Sequence, residues 1–230
     1  MKRFWKEVAL DAGPSGWSIT LDGRPLKTPA RETLVVITHL LGDAIAEEWR
    51  ACGEEIDPRQ MPMTGLANAA VDHIAPAPHV FRDELARYAE ADLLCYRAEH
   101  PPKLVAAQLA EWDPLLEWAR HRFDVAFRIT AGIIHVPQPP ATIARLAAAL
   151  APADPFQLAA LSPIVTIGGS LVTALALFEG AIDLDTAWSA VSLDDRWQID
   201  QWGADDEAVA ALANRRQDFA AAARFLRLLG

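Results

Sequence analysis

The spacing of hydrophobic residues divides the chain into a strand-rich beginning and a helical remainder. Trp17, Ile19 and Leu21 alternate with polar residues, which is the period of two that predicts a half-buried β-strand. Asp22–Gly23 follows and predicts a tight hairpin turn, because both central residues of a type I′ turn need positive φ. Further strands are predicted over 4–10, 24–28 and 33–37. Together these segments predict a small antiparallel sheet.

From residue 38 onward the hydrophobic period becomes that of α-helices. Thr38 is a candidate N-cap, and Leu41, Ile45 and Trp49 recur at helical spacing after it. Pro114 predicts a break or kink in its helix, because proline lacks the N–H donor. Further helices are predicted over 65–75 with Thr64 as cap, 79–95, 102–122, 139–150, 154–167, 170–179, 184–202 and 205–229.

These patterns predict an α+β fold in two domains. Residues 1–60 are expected to form a small N-terminal α/β domain with an antiparallel sheet. Residues 61–230 are expected to form a larger C-terminal orthogonal helical bundle. Within the bundle, the β-branched stretch 125–136 predicts a short β-hairpin.

Composition and charge indicate a chain with a large core and argue against nucleic-acid binding. Hydrophobic residues make up 52% of the 230 residues, which is enough for a sizeable core. The formal charge of −10 argues against a nucleic-acid partner, because phosphates require clustered Lys and Arg. Cys52 and Cys95 lack CxxC spacing and suit a reducing compartment.

Two segments bear on membranes and targeting. The start, MKRFWKEVAL, has no apolar signal-peptide core and is too short for a transit peptide, so a bacterial cytoplasmic location is expected. The uncharged run 158–178 has about the length of a bilayer span, but Pro163 and Gly168–Gly169 interrupt it. We therefore expect a buried helical hairpin and no membrane insertion.

Most candidate chemical motifs are incomplete. The six histidines never fall into HxH, HxxxH or HExxH spacing, so no metal site or cofactor is expected. The segment 166–175, TIGGSLVTAL, leads glycines into a helix but matches neither GxGxxG nor the Walker pattern. Ser170 is better interpreted as the N-cap of a tight helix–helix turn.

The stretch 192–203, SLDDRWQIDQWG, is the most ambiguous part of the chain. In the predicted helix 184–202, an apolar stripe continues through Asp195, Gln198 and Trp202 and so becomes polar halfway along. Asp194 and Asp195 project about 100° apart on a helix, which is a poor arrangement for sharing a proton. A solvated face, a catalytic pair, a partner-binding surface and a buried polar network all remain open.

Several motifs in order identify a family. They are RFWKEV, LDGRPLKTPA, AIAEEW, MPMTGLANAAVD, LLCYRAE, QLAEWDPLLEWA and WQIDQWG. Together, over about residues 3–205, they resemble the assembly chaperones of F-type ATP synthase that bind the alpha subunit of its catalytic head. The resemblance implies a non-catalytic factor that holds the new alpha subunit until the beta subunit replaces it, and we expect the free chain to be a monomer. It also implies an N-terminal α/β domain and a C-terminal helical bundle.

The resemblance also indicates partner-binding residues. In that family the ambiguous stretch usually reads Leu-Glu-Glu, then two residues before Gln, and ends in Trp-Gly; one acid is functionally important. Gln198 and Trp202 match this pattern, as do Leu193 and Gly203, whereas Asp194 and Asp195 replace the glutamates. Trp49, in AIAEEW, matches another family position, although its apolar stripe equally suits a structural anchor.

Two other classes of function remain as alternatives. One is an enzyme with a small-molecule pocket between the two domains, using Asp194 or Asp195 with His73 or His135. The other is a permanent structural subunit of a larger complex.

Overall fold

A computed structural model describes residues 2–132, 134–203 and 205–230, and of Trp202 it describes the backbone only. The chain forms two compact units. Unit 1 comprises Met1–Pro78, Ala153–Ala160 and Ala221–Gly230, and unit 2 comprises His79–Pro152 and Leu161–Ala220. The domain boundary expected after residue 60 stays a prediction.

Unit 1 contains the antiparallel sheet. Its strands are β1 (Val8–Gly13), β2 (Gly16–Leu21), β3 (Arg24–Pro25) and β4 (Val35–Val36), and β2 pairs with each of the other three. Asp22 and Gly23 have φ of 50° and 75°, which confirms the predicted hairpin turn.

The first helix, α1 (His39–Ala51), packs on this sheet. Thr38 Oγ1 accepts from the N–H of Leu41 at 3.2 Å, so the predicted N-cap is confirmed. A Cβ atom at Gly42 would lie 2.7 Å from Leu10 Cδ1, and glycine there therefore permits the close approach of helix and sheet. Ile19, Ile45 and Trp49 are buried on this side of the unit.

The second helix, α2 (Pro62–Ala69), begins earlier than predicted and is capped from another element. The Glu48 carboxylate on α1 accepts from the N–H groups of Met63 at 2.7 Å and Thr64 at 2.8 Å. The expectation that Thr64 would be the cap was wrong, because proline starts the helix and a distant acid satisfies its free N–H groups. A π-helical turn, Ala70–Ile74, follows.

Helices make up most of the remaining chain. They are α3 (Pro78–Ala86), α4 (Pro102–Phe123), α5 (Pro140–Ala149), α6 (Pro155–Gly168), α7 (Leu171–Phe178), α8 (Leu184–Val191), α9 (Leu193–Trp202) and α10 (Asp206–Leu228). Short 3₁₀ turns occupy Pro58–Gln60, Arg87–Ala89 and Leu93–Cys95. The small N-terminal antiparallel sheet and the mostly helical C-terminal region confirm the predicted α+β fold.

Two short strands lie in unit 2. Strand β5 (Tyr96–Arg97) pairs in parallel with β6 (Thr130–Ala131). The hairpin expected over 125–136 stays a prediction, because Ile133 within it lies outside the described residues.

Two predicted helix boundaries were wrong for identifiable reasons. Helix α4 continues through Pro114 and buries Trp112 and Leu116 on either side of it, so the break expected there is absent, while a kink stays a prediction. Their packing outweighs the roughly 3 kcal/mol that an internal proline costs. Conversely, 184–202 is two helices, because Ser192 leaves the helical conformation and its Oγ donates to Trp188 O at 2.6 Å. The apolar stripe therefore does not continue on one helical face into α9.

The uncharged run forms two helices, as expected, although Pro163 lies inside α6 and the chain turns at Gly169. Ser170 Oγ accepts from the N–H of Thr173 at 3.0 Å, which confirms the predicted cap of α7. Among the residues that the structure describes, no helix has both the length and the apolar character needed to cross a membrane.

Candidate functional site

The two neighbouring acids of α9 have different surroundings. Asp194 Oδ1 accepts from Gln108 Nε2 at 2.8 Å, whereas Asp195 Oδ2 lies 2.8 Å from Arg215 Nη1. Adjacent helical residues project about 100° apart, so the two carboxylates face different elements, α4 and α10. Gly203, with φ of 89°, follows the last residue of α9, which is where the predicted helix 184–202 also ends. Each acid therefore has its own bonding partner, on a different element.

Asp194 is connected to the interior of unit 2 through Gln108. The Gln108 side chain is 1% exposed, and its Oε1 accepts from the N–H of Ala98 at 2.8 Å. Both ends of the amide are thus used, one by backbone and one by the Asp194 carboxylate. This buried glutamine fixes where the Asp194 carboxylate lies.

Arg97 completes what we call the buried polar network, which consists of the buried Arg97 and Gln108 and, at its edge, their partners Asp113, whose side chain is 48% exposed, and Asp194. Its guanidinium donates to Leu94 O at 2.9 Å, Gln108 O at 3.0 Å and Asp113 Oδ1 at 2.7 Å. It also lies over the Trp112 ring, 5.1 Å from the centroid. The charge of this 7%-exposed arginine is therefore satisfied from several directions.

Asp195, in contrast, lies beside an open groove. The Asp195 and Arg215 side chains are each 41% exposed, and Arg215 Nη2 also donates to Ile167 O at 3.2 Å. The α9–α10 groove has a volume of about 460 Å³. It is lined by Asp195, Gln198, Ile199, Gly203, Ala208, Ala211, Leu212 and Arg215.

The remaining predicted partner-binding residues are divided between the units. Gln198 is exposed on α9, and the side chain of Trp202 lies outside the described part of the chain. Trp49 belongs to unit 1, where it is 9% exposed and its ring centroid lies 4.9 Å from that of Trp5. Trp5 Nε1 also donates to Trp49 O at 3.2 Å. This burial supports the structural-anchor interpretation of Trp49.

Three of the residues named for the enzyme alternative, Asp194, Asp195 and His135, contact other side chains. Within the described residues, the side chains of Asp194 and Asp195 contact Gln108 and Arg215, and His135 Nδ1 lies 2.9 Å from Tyr96 Oη. In the same part of the chain, no group of three or more His, Cys, Asp or Glu residues is placed to hold a metal ion.

A buried acid was missed by the sequence patterns. Asp92 is fully buried, and its carboxylate accepts from the N–H groups of Leu94 at 3.1 Å and Val172 at 3.0 Å. Burial raises the pKa of Asp92 to about 6, although these N–H groups act in the opposite direction. Burial, with Asp92 nearby, also raises the pKa of the Cys95 thiol to about 12.

The helix predicted over 79–95 ends early, and Asp92 lies in the non-helical segment that follows it. Helix α3 stops at Ala86, and Asp92 takes an extended conformation with ψ of 131° to cap the 3₁₀ turn Leu93–Cys95. Two features of the sequence pointed to these buried polar residues. Asp92 is an acid directly before the apolar run LLC, and Arg97 and Gln108 lie within the motifs LLCYRAE and QLAEWDPLLEWA. Val172, which Asp92 contacts, and Asp194, which Gln108 contacts, lie 80 and 86 residues away and could not be inferred from the sequence.

Comparison with known proteins identifies relatives over most of the chain. The family model described as ATP12 chaperone protein matches residues 2–120. The mitochondrial protein atp12 of Schizosaccharomyces pombe is 28% identical over 219 residues, which cover 90% of this chain and 75% of that protein.

Solved structures match the whole chain. Atp12 from Paracoccus denitrificans has a TM-score of 0.94 at 42% identity, over 100% of this chain and 98% of that chain, and an Asp-to-Lys mutant of it gives the same values. A putative chaperone from Agrobacterium tumefaciens also has a TM-score of 0.94, at 39% identity, over 100% of this chain and 86% of that chain. The assignment from sequence motifs is thus confirmed, and the chain belongs to the ATP12 chaperone family.

Proposed function

We propose that this chain binds the free alpha subunit of F-type ATP synthase and prevents its aggregation until the beta subunit takes its place. Membership of the ATP12 family makes it a chaperone of ATP synthase assembly. The observation that carries the proposal is the likeness to solved Atp12 over the full chain, at 42% identity. The alpha subunit as the bound client follows from the motif resemblance.

The physical demands of such a role match the surface of α9. A subunit awaiting assembly exposes an apolar, partly charged interface that aggregates unless it is covered. A covering surface needs aromatic and apolar contacts together with charges that set the register. We propose that Asp195, Gln198 and Trp202 supply this surface and that Asp194, bonded to Gln108, holds it in position. Trp49 contributes by holding unit 1 together.

The proposed role is non-catalytic, and the free chain is proposed to be a monomer in a bacterial cytoplasm. The relatives that carry descriptions of their role are called chaperones, and the structural relatives come from bacteria. The yeast relative is named as mitochondrial. Because the beta subunit must displace the chain, we expect reversible binding of modest affinity.

Co-expression tests the proposal. The alpha subunit should be recovered in the soluble fraction in larger yield when this chain is present, and the two should copurify. The beta subunit expressed with the same chain is the control and should gain nothing. An unchanged soluble yield of alpha subunit, with no complex formed, would contradict the proposal.

Release separates a chaperone from a permanent subunit. Adding purified beta subunit to the isolated complex should free this chain, and the chain should be absent from the assembled hexamer. If the chain instead remains in the hexamer at fixed stoichiometry, the structural-subunit alternative is correct.

A further inference from the structure

We propose that Asp195 and the α9–α10 groove together bind a segment of the alpha subunit in which an apolar side chain is flanked by Lys or Arg. The proposal rests on the proposed function, since it takes the alpha subunit as the partner. It assigns the two acids of α9 different roles. Asp195 contacts the partner, and Asp194 is a positioning residue.

The apolar character of the groove identifies the first part of the occupant. Ile199 and Leu212 are half-buried in its lining, and Ala208 and Ala211 beside them are exposed. A volume of about 460 Å³ accepts one or two large apolar side chains. Binding energy in interfaces is concentrated where such a side chain fills a pocket surrounded by polar groups.

The charge around the groove identifies the second part of the occupant. Four exposed acids lie on the end of α9 and the start of α10: Asp200, Asp205, Asp206 and Glu207. Arg196, the basic residue within 194–207, is directed elsewhere, since its guanidinium donates to Ser189 O at 2.9 Å and lies 3.4 Å from Glu111. Arg215 in the lining is balanced by Asp195, so the four further acids leave a net negative charge around the groove, which favours a cationic segment.

Position relative to the groove distinguishes Asp195 from Asp194, because Asp195 lines the groove whereas Asp194 bonds the buried Gln108 of α4. Arg215 bonds Asp195 Oδ2, whereas Asp195 Oδ1 accepts from no group among the described residues. A carboxylate has acceptor sites on both oxygens, so Oδ1 can take a Lys or Arg from the partner while Arg215 keeps Oδ2. Asp194 is held by the buried Gln108 and fixes the orientation of α9 against α4.

The test compares the affinity of purified alpha subunit for the wild-type chain and three variants. Leu212→Gln makes the groove polar without changing charge, and Asp195→Asn removes the proposed ionic contact. Each should weaken binding by about tenfold or more. Asp185→Asn is the matched control, because it removes the same charge from an exposed pair with Arg216, and it should leave binding unchanged.

Salt dependence provides a second readout. Raising the salt concentration should weaken wild-type binding, and Asp195→Asn should show a smaller dependence because one ion pair is missing. Thermal midpoints should stay near the wild-type value for Leu212→Gln and Asp195→Asn. A fall in binding that is matched by a fall in midpoint would assign Asp195 a structural role and overturn the proposal.

A photoreactive phenylalanine analogue at position 211 identifies the occupant directly. We expect cross-links to an alpha-subunit peptide with an apolar residue next to Lys or Arg. Cross-links to an acidic peptide, or to a second copy of this chain, would overturn the proposal. If wild type does not bind the alpha subunit, the proposed function fails. If it binds but Leu212→Gln and Asp195→Asn bind within about twofold of it, only the groove assignment fails.

Discussion

The buried polar network and the α9–α10 groove contain neighbouring residues of α9, Asp194 and Asp195, but differ in how deeply their central side chains are buried. In the network, Gln108 is 1% exposed, and both ends of its amide are occupied. At the groove, the side chains of Asp195 and Arg215 are 41% exposed, and one carboxylate oxygen has no partner among the described residues. The network joins Asp194 to buried groups of α4, whereas the groove is open to a partner.

This difference shows what each kind of polar group contributes. A buried polar group leaves an unsatisfied partner behind when it is removed, so its removal affects folding. A half-exposed ion pair contributes little to folding, because water and salt screen it. Substitutions in the network should therefore lower stability, and substitutions at the groove should lower binding while stability stays nearly constant.

The largest effect on folding stability is expected on substitution of Trp112, whose ring contacts Arg97 of the network. Its ring is fully buried beneath Arg97, and its Nε1 donates to Ala190 O at 2.8 Å. Trp112→Ala should lower the free energy of unfolding by about 3–5 kcal/mol, measured by denaturant titration. Leu109→Ala, on the same helix but 48% exposed, is the control and should lower it by less than about 1 kcal/mol. Equal effects of the two would contradict the described packing.

A smaller loss in the free energy of unfolding is expected on substitution of Gln108. Gln108→Leu keeps the shape but leaves the Ala98 N–H and the Asp194 carboxylate without their partner, which should cost about 2–4 kcal/mol. Gln198→Leu, the same change at an exposed position of α9, should alter the free energy of unfolding by less than about 0.5 kcal/mol. If both variants unfold at the wild-type denaturant concentration, the network is not a stability element.

Asp92 should give stability a distinctive pH dependence. Its folded-state pKa of about 6 lies above its ordinary value of 3.8, so the folded chain binds a proton more tightly than the unfolded chain. The contribution of this group to the free energy of unfolding should therefore rise as pH falls from above 6 to about 4. The total change is on the order of 2–3 kcal/mol.

The contribution is isolated by comparing the wild type with Asp92→Asn at each pH, because other carboxylates titrate in both proteins. The difference in free energy of unfolding between them should change over pH 4–6 and be constant above about 7. Glu117→Gln, at an exposed carboxylate whose pKa Arg120 holds below its ordinary value, is the control and should show the opposite slope. A pH-independent difference for Asp92→Asn would show that Asp92 does not titrate in this range.

The smallest effect on stability is expected at the groove. Asp195→Asn breaks the half-exposed pair with Arg215 and should change the free energy of unfolding by less than about 1 kcal/mol. Calorimetric thermal unfolding measures it beside Gln108→Leu. A loss as large as that of Gln108→Leu would remove the distinction between the two regions.

Features governed by neighbouring residues were predictable from the sequence. The hairpin turn at Asp22–Gly23 and the caps at Thr38 and Ser170 depend on residues within a few positions, and all three predictions are confirmed. The break at Ser192 and the continuity of α4 were not predictable. Both depend on packing between α4 and α8, where Trp112 reaches Ala190 across 78 residues.

The same limit applies to the candidate site. Asp194 and Asp195 were chosen from their place in a polar stretch, and their roles in binding stay a proposal. The residues that distinguish them, Gln108 and Arg215, lie 86 and 20 residues away along the chain. Periodicity describes one element at a time, so it cannot show which distant side chain meets which acid.

Suppression of aggregation tests the central claim most directly. Denatured alpha subunit is diluted into buffer with an equimolar amount of this chain, and light scattering is followed over time. Wild type and Asp185→Asn should hold scattering low, Asp195→Lys should allow it to rise, and its thermal midpoint should match the wild type. Scattering that rises equally with and without the wild-type chain would contradict the account.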